Sequence, residues 1–201
     1  MKISYFGHSC FAIFGKDFSV CLDPYGDIGV LLPKISTDYY FCSHEHYDHN
    51  NVTSSMGKNI EEIKKVEIIK TYHDDSFGKF RGENKIGVFE IDGIKIAHMG
   101  DYGELQNEAV CQMLKGIDIL LIPIGGKYTI DTKCAIEYIE HIKPKIVVPM
   151  HYQFKTSSVD ITDEKEFLSC VSKKYKVKKA NKNLEINDIE NLETIIYFIE
   201  C

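Results

Sequence analysis

Apolar residues along this chain change their spacing between its two halves. In the first half they alternate with polar ones in short runs. Residues 2–5, 10–14 and 18–22 read as strands parted by Gly7 and by Gly15-Lys16-Asp17, and runs at 39–43, 67–72, 86–91 and 94–98 follow. Asp92-Gly93 joins the last two, and such a pair between alternating apolar runs predicts a tight hairpin. In the second half the period lengthens. Leu105, Ala109, Met113 and Leu114 fall on one helical face, and Ile136, Ile139 and Ile142 do the same after Asp131-Thr132. Continuous apolar runs at 119–122 and 146–148 read as strands buried on both faces. A charged helix near 163–174 and strands near 175–179 and 194–199 complete the pattern. A β meander followed by alternating strand and helix predicts an α+β fold with two packed sheets and helices outside, built as a single domain over residues 1–201.

Composition narrows the function. The 201 residues are 44% hydrophobic and 27% charged, as in an ordinary globular protein. A net charge of −6 argues against an anionic membrane surface or nucleic acid as main partner. Lysines do cluster at 173–179, interleaved with Tyr175 and Val177, but this reads as an edge strand whose charges block sheet-to-sheet pairing. Apolar runs such as 119–124 are far shorter than the ~20 residues a membrane span needs. The first fifteen residues alternate and include His8, unlike the apolar core of a signal peptide. Seven dispersed cysteines, without a C-x-x-C pair, read as reduced thiols of a cytoplasmic protein.

The chemistry is concentrated in His44-Glu45-His46-Tyr47-Asp48-His49, directly after the strand at 39–43. Given the composition, an H-x-H-x-D-H string arises by chance on the order of once in a thousand such chains. Four metal-type ligands in six positions is too dense for an ordinary polar loop. If the loop continues extended, His44 and His46 share a side and one metal, while Asp48 and His49 reach a second. Imidazole with carboxylate suits zinc, with manganese or iron as alternatives. Further ligands must come from elsewhere. His73, His98, Asp101 and His151 each lie at a predicted strand end, whereas His141 sits inside an amphipathic helix and reads as a structural or surface residue.

The motifs Gly7-His8-Ser9-Cys10-Phe11, Leu22-Asp23-Pro24, His44 to Asn50, Tyr72-His73-Asp74, Ala97-His98-Met99-Gly100-Asp101, Pro123-Ile124-Gly125-Gly126 and Val148-Pro149-Met150-His151-Tyr152 run in the order of a known family. In these the chain resembles the metallo-β-lactamase superfamily, and within it the small cytoplasmic metal-dependent hydrolases related to ascorbate-6-phosphate lactonase. The resemblance implies a four-layer αββα sandwich with two divalent ions at one edge. It places His44, His46 and His73 on one ion and Asp48, His49 and His151 on the other, with Asp101 shared. His98 is the alternative to His73, otherwise lying beside the ligands, where His8 and Asp23 are also expected to orient them by hydrogen bonds.

The expected activity is hydrolysis of a small ester, lactone or phosphoester by water made acidic between the ions, with Asp48 and Asp101 orienting it or moving its proton. Lys127, in the loop after the strand at 119–122, and Tyr152 are the candidates to meet an anionic substrate. Pocket shape is assigned to the loops 24–38 and 74–85. Two other readings compete. One is a metal-binding module without turnover. The other is a di-iron redox protein, whose motif resembles H-x-E-x-D where this chain has His46. A homo-oligomer is left open.

Overall fold

The computed structural model describes residues 1–62, 66–105, 107–155, 157–187, 189 and 193–201. Two mixed sheets face each other across one apolar core. The first contains β1 (Lys2–Gly7), β2 (Cys10–Phe14), β3 (Ser19–Leu22), β4 (Tyr39–Phe41), β5 (Lys58–Asn59) and β12 (Asn183–Glu185), in the order β12-β1-β2-β3-β4-β5. The second contains β6 (Val66–Tyr72), β7 (Glu83–Ile91), β8 (Ile94–His98), β9 (Ile119–Pro123), β10 (Ile146–Met150), β11 (Lys176–Asn181) and β13 (Ile195–Glu200), in the order β11-β13-β10-β9-β8-β7-β6. The helices are α1 (Glu108–Met113), α2 (Thr132–Ile142) and α3 (Lys165–Val171). This is the α+β sandwich expected from the sequence.

The all-apolar run of β2 is buried on both sides. Phe11 and Ile13 enter the core between the sheets, while Cys10 and Ala12 face a second apolar cluster outside. Cys21, Tyr25, Ile28, Ile35, Met56 and Phe154 complete that outer cluster, so the layer over the first sheet is irregular chain and a short 3-10 turn. The loop 24–38 therefore covers a sheet face, and none of its residues lines the cavity described below. On the other side α2 packs Ala135, Tyr138, Ile139 and Ile142 into the main core. It starts at Asp131, whose carboxylate accepts from the Cys134 amide.

Asp92-Gly93 turns with positive φ at both residues, 54° and 76°, as the two-residue hairpin demands. The expected face of α1 is corrected. Leu105 lies outside the helix and is exposed, as are Ala109 and Met113, and the buried residues are Val110, Cys111 and Leu114. Residues 176–179 of the lysine-rich segment lie in β11, an edge of the second sheet, and 173–175 form the turn before it. Among the described residues no helix is long and apolar enough to cross a membrane, and no disulfide joins the cysteines.

Strand direction decides where the chemistry gathers. β1 is antiparallel to β2, and β2 to β3, so β1 and β3 run the same way, as does β4. In the second sheet β6, β8, β9 and β10 likewise share one direction. The C-terminal ends of these strands carry His8, Asp23, the loop 43–50, His73, the segment 98–101 and His151. A sandwich thus collects residues scattered over more than a hundred positions along a single edge.

Candidate metal centre

The loop after β4 is not extended as the sequence reading supposed. The His49 amide donates to the His46 carbonyl at 2.9 Å, closing a turn. His44 and His46 still approach edge to face, with ring centroids 4.6 Å apart, and His49 comes within 4.3 Å of His44. Three groupings of ligand atoms result, each within 4.8 Å: His44, His46 and His73; His8, His49 and His151; and His44, His49 and Asp101.

Asp101 lies between the first two groupings. Its Oδ2 is 3.1 Å from His73 Nε2 and 3.1 Å from His151 Nε2, and its Oδ1 is 3.2 Å from His49 Nε2. Gly100 makes this position reachable. It has φ of 58°, and a Cβ there would come within 2.3 Å of the Ser43 Cβ, so only glycine lets the chain after β8 pass against the loop after β4.

Three of the ring nitrogens that face away from this centre are held, whereas His8 Nδ1 and His151 Nδ1 are buried without a hydrogen-bond partner among the described residues. His73 Nδ1 donates to the Tyr128 carbonyl at 3.0 Å, which leaves Nε2 as the lone-pair nitrogen. His49 Nδ1 is 3.0 Å from Asp23 Oδ2, and His44 Nδ1 is 2.9 Å from Ser43 Oγ. Asp23 is fully buried and also receives the Ser43 amide at 2.6 Å, the Ser43 hydroxyl at 2.7 Å and His98 Nε2 at 2.8 Å. His98 is thereby turned onto Asp23, with its ring against Phe11 and Phe41. It is His73 that stands with His44 and His46.

Electrostatics prepare the centre for cations. Burial lowers His44 to about 3 and His8 to about 4, so both imidazoles are neutral at pH 7. Burial also pushes His49 down, but the carboxylates of Asp101 and Asp23 outweigh it and raise this group well above its ordinary value. Burial would raise Asp101, yet His151 and His49 hold it well below the carboxylate range. His44 Nε2, buried, has no hydrogen-bond partner among the described residues. An imidazole nitrogen left bare beside other imidazoles and a carboxylate fits a divalent cation. His8, Asp23 and His151 also have positive φ, 54°, 43° and 50°. Backbone strain of this kind collects at functional sites.

A cavity of about 470 Å³ opens over the centre, lined by His46, Asp48, His73, Asp101 and His151 and by Tyr47, Phe80, Arg81, Tyr128 and residues 158–160. Neither of the two expected substrate contacts lines this cavity itself. The Lys127 ammonium pairs with Asp160, which does line it. Tyr152 is buried in the core beside Tyr5 and Phe198. The cation lining the cavity is Arg81, which sequence reading missed. It donates to the Lys127 carbonyl at 3.0 Å and lies 5.5 Å over the Tyr128 ring. Its loop is built on Asp74, whose carboxylate accepts the amides of Ser76, Gly78, Phe80 and Arg81. A carboxylate followed by closely spaced turn residues was the available signal, but its fourfold capture of amides needs the folded loop. His141 is exposed on α2, as expected.

Comparisons with known proteins agree with this architecture. The family profile described as "Beta-lactamase superfamily domain" matches residues 2–151. A UPF0173 metal-dependent hydrolase of Thermoplasma acidophilum is 32% identical over 189 residues, covering 76% of this chain and 83% of that protein. One of Nanoarchaeum equitans is 33% identical over 186 residues, covering 76% and 84%. Among solved structures, a Thermotoga maritima protein described as a Zn-dependent hydrolase of the metallo-beta-lactamase superfamily superposes with a TM-score of 0.76. It is 27% identical, with 99% of each chain covered.

Proposed function

The chain belongs to the beta-lactamase superfamily domain family and is a metal-dependent hydrolase, and from that premise we propose that it uses two divalent ions to cleave a small, anionic ester, lactone or phosphoester. Zinc is the first expectation, with manganese or iron as alternatives. The observation that carries this reading is Asp101 Oδ2, 3.1 Å from one histidine of each of two groupings. His44, His46 and His73 would hold one ion and Asp48, His49 and His151 the other, with Asp101 between. When bound, such ions supply a water acidic enough to be hydroxide near neutral pH and polarise the oxygen that gains charge.

The protein's own groups would do the rest. Asp48 lines the cavity, and although burial raises it, His8 and His49 hold it below the ordinary carboxylate range. It therefore stays ionised and able to orient a hydroxyl by accepting its hydrogen bond. Tyr47 and Phe80 are largely exposed aromatic faces at the same cavity. Arg81 has donors beyond the one it spends on Lys127, and Asp160 is already paired with Lys127. An anionic group on the substrate suits Arg81 as its anchor. A cytoplasmic setting is part of the same proposal, in keeping with seven cysteines and no disulfide among the described residues.

The test begins with metal analysis. Chelator-stripped protein, reloaded with zinc, manganese or iron, is assayed on lactones, carboxylic esters, thioesters and phosphodiesters. Turnover that returns with metal is expected, and bound metal with no turnover across the panel would favour a non-catalytic role. Arg81→Ala is expected to lower kcat/KM on charged substrates by roughly 10- to 100-fold, the worth of a hydrogen bond to a charged group. Neutral analogues should be unaffected. Metal should also stabilise the fold. At a free concentration of 100 Kd an ion adds about 2.7 kcal/mol, or roughly 5–11 °C in Tm for a chain of this size. Calorimetry with and without chelator reads the shift, and an unchanged Tm would contradict binding in the native state.

A further inference from the structure

The second grouping holds one imidazole more than the ligand set given above. His8 follows β1 with φ of 54°, and its carbonyl receives the His151 amide at 2.7 Å and the Tyr5 hydroxyl at 2.8 Å. Gly7 before it is covered by the Phe154 ring, which a Cβ would meet at 2.2 Å. The backbone of His8 is thus locked to the end of β10, and its side chain is completely buried. Within that lock, Nε2 lies 3.1 Å from His49 Nε2 and 3.3 Å from Asp48 Oδ2, and the ring centroid is 4.4 Å from that of His151. His49 Nδ1 is engaged by Asp23. The nitrogen that His49 turns toward His8 is therefore the one it would offer to an ion.

A residue that merely orients a ligand reaches its far side, as Asp23 does to His49 and the Tyr128 carbonyl does to His73. His8 instead meets Asp48 and His49 at the atoms they present to the centre. We propose that His8 is itself a ligand of the second ion, through Nε2, beside Asp48, His49, His151 and Asp101. This rests on the two-ion reading and deepens it. It makes the sites unequal. The second, walled by buried His8, His49 and His151, is the richer in protein ligands, whereas the first has exposed His46; the cavity reaches both, through His46 and His73 on one side and Asp48 and His151 on the other. The second ion should accordingly bind more tightly and exchange more slowly.

His8→Asn tests this, because asparagine tolerates the left-handed φ at this position. Co2+ is titrated into metal-free wild type and variant, with calorimetry giving stoichiometry and affinity and the visible spectrum reporting coordination. The wild type should take two ions. The variant should keep one site unchanged and lose about 10- to 100-fold or more in affinity at the other, with an altered spectrum at that step. Two ions on the variant with wild-type affinity and spectrum would overturn the role of His8 alone. Fewer than two on the wild type would overturn the two-ion reading and this proposal with it. Ring 15N spectra of the wild type under Zn2+ titration read the same point without a variant. The His8 Nε2 resonance should move with the tighter-binding ion, and an unmoved resonance would overturn the assignment.

Discussion

Asp101→Asn should abolish metal-dependent turnover while leaving the fold in place. The substitution keeps the shape of the side chain but removes the charge that His73, His151 and His49 all face. Because the carboxylate touches both groupings, both ions should weaken. Loss of metal-based charge stabilisation is worth several kcal/mol, which is on the order of 10³ in rate. His46→Ala supplies the contrast. His46 is exposed and belongs only to the grouping with His44 and His73, so that variant should lose one ion and keep the other. Metal content and kcat are measured together, with far-ultraviolet circular dichroism to confirm folding. Rates within tenfold of wild type in Asp101→Asn, at full metal content, would remove Asp101 from the mechanism.

What the sequence made legible depends on how local each cause is. The hairpin at Asp92-Gly93 and the ligand-dense loop at 44–49 are written in consecutive residues; the hairpin forms as expected, and the loop brings His44, His46 and His49 together although it turns rather than extends. The strand ends are nearly as local, which is why His73, Asp101 and His151 could be named before their distances were known. The face of α1 was misread because six helical residues hold fewer than two turns, too short for a 3.6 period to fix a direction. Its real start is the cap at Asn107, which accepts from the Val110 amide. The side chains of Lys127 and Tyr152 are placed by a different kind of cause. Sequence places each beside a site segment, but the long-range pair with Asp160 and the apolar neighbours Tyr5 and Phe198 decide where their side chains go. Arg81 was invisible for the same reason, since its position follows from Asp74 folding the loop around itself. His8 was legible as a neighbour of the ligands, and only the packing of β1 against the end of β10 brings its Nε2 to face theirs.

The largest effect on stability is expected from Asp23→Asn, a change that touches none of the atoms facing the ions. Asp23 is fully buried and gathers the Ser43 amide, the Ser43 hydroxyl, His49 and His98. Its pKa reflects the contest: burial raises it, and His98 and His49 more than reverse this, leaving it well below the ordinary carboxylate value. Asparagine keeps the left-handed φ of 43° and one acceptor oxygen. It also turns an amide donor toward a group that was itself donating. With its oxygen at the Oδ2 position, where the Ser43 hydroxyl, His49 Nδ1 and His98 Nε2 converge, its amide group opposes the Ser43 N–H, and the uncharged side chain holds His49 less firmly in its metal-facing orientation. Losing such an orienting partner typically costs 10- to 100-fold in metal affinity. In the metal-free protein, breaking one side of a buried charge pair costs about 3–5 kcal/mol, or roughly 6–20 °C in Tm. The pH dependence follows from the signs. The depressed Asp23 contributes fully only above its unfolded pKa of about 3.9, losing that contribution progressively as pH falls below it, and the raised His49 contributes fully only below its unfolded value of about 6.5. Without metal, the gap between wild type and variant should therefore be widest between about pH 4 and 6.5 and shrink on either side. Chemical denaturation of both metal-free proteins across that range measures it, and a gap that stays flat from acid to alkaline pH would mean that Asp23 and His49 do not hold each other charged.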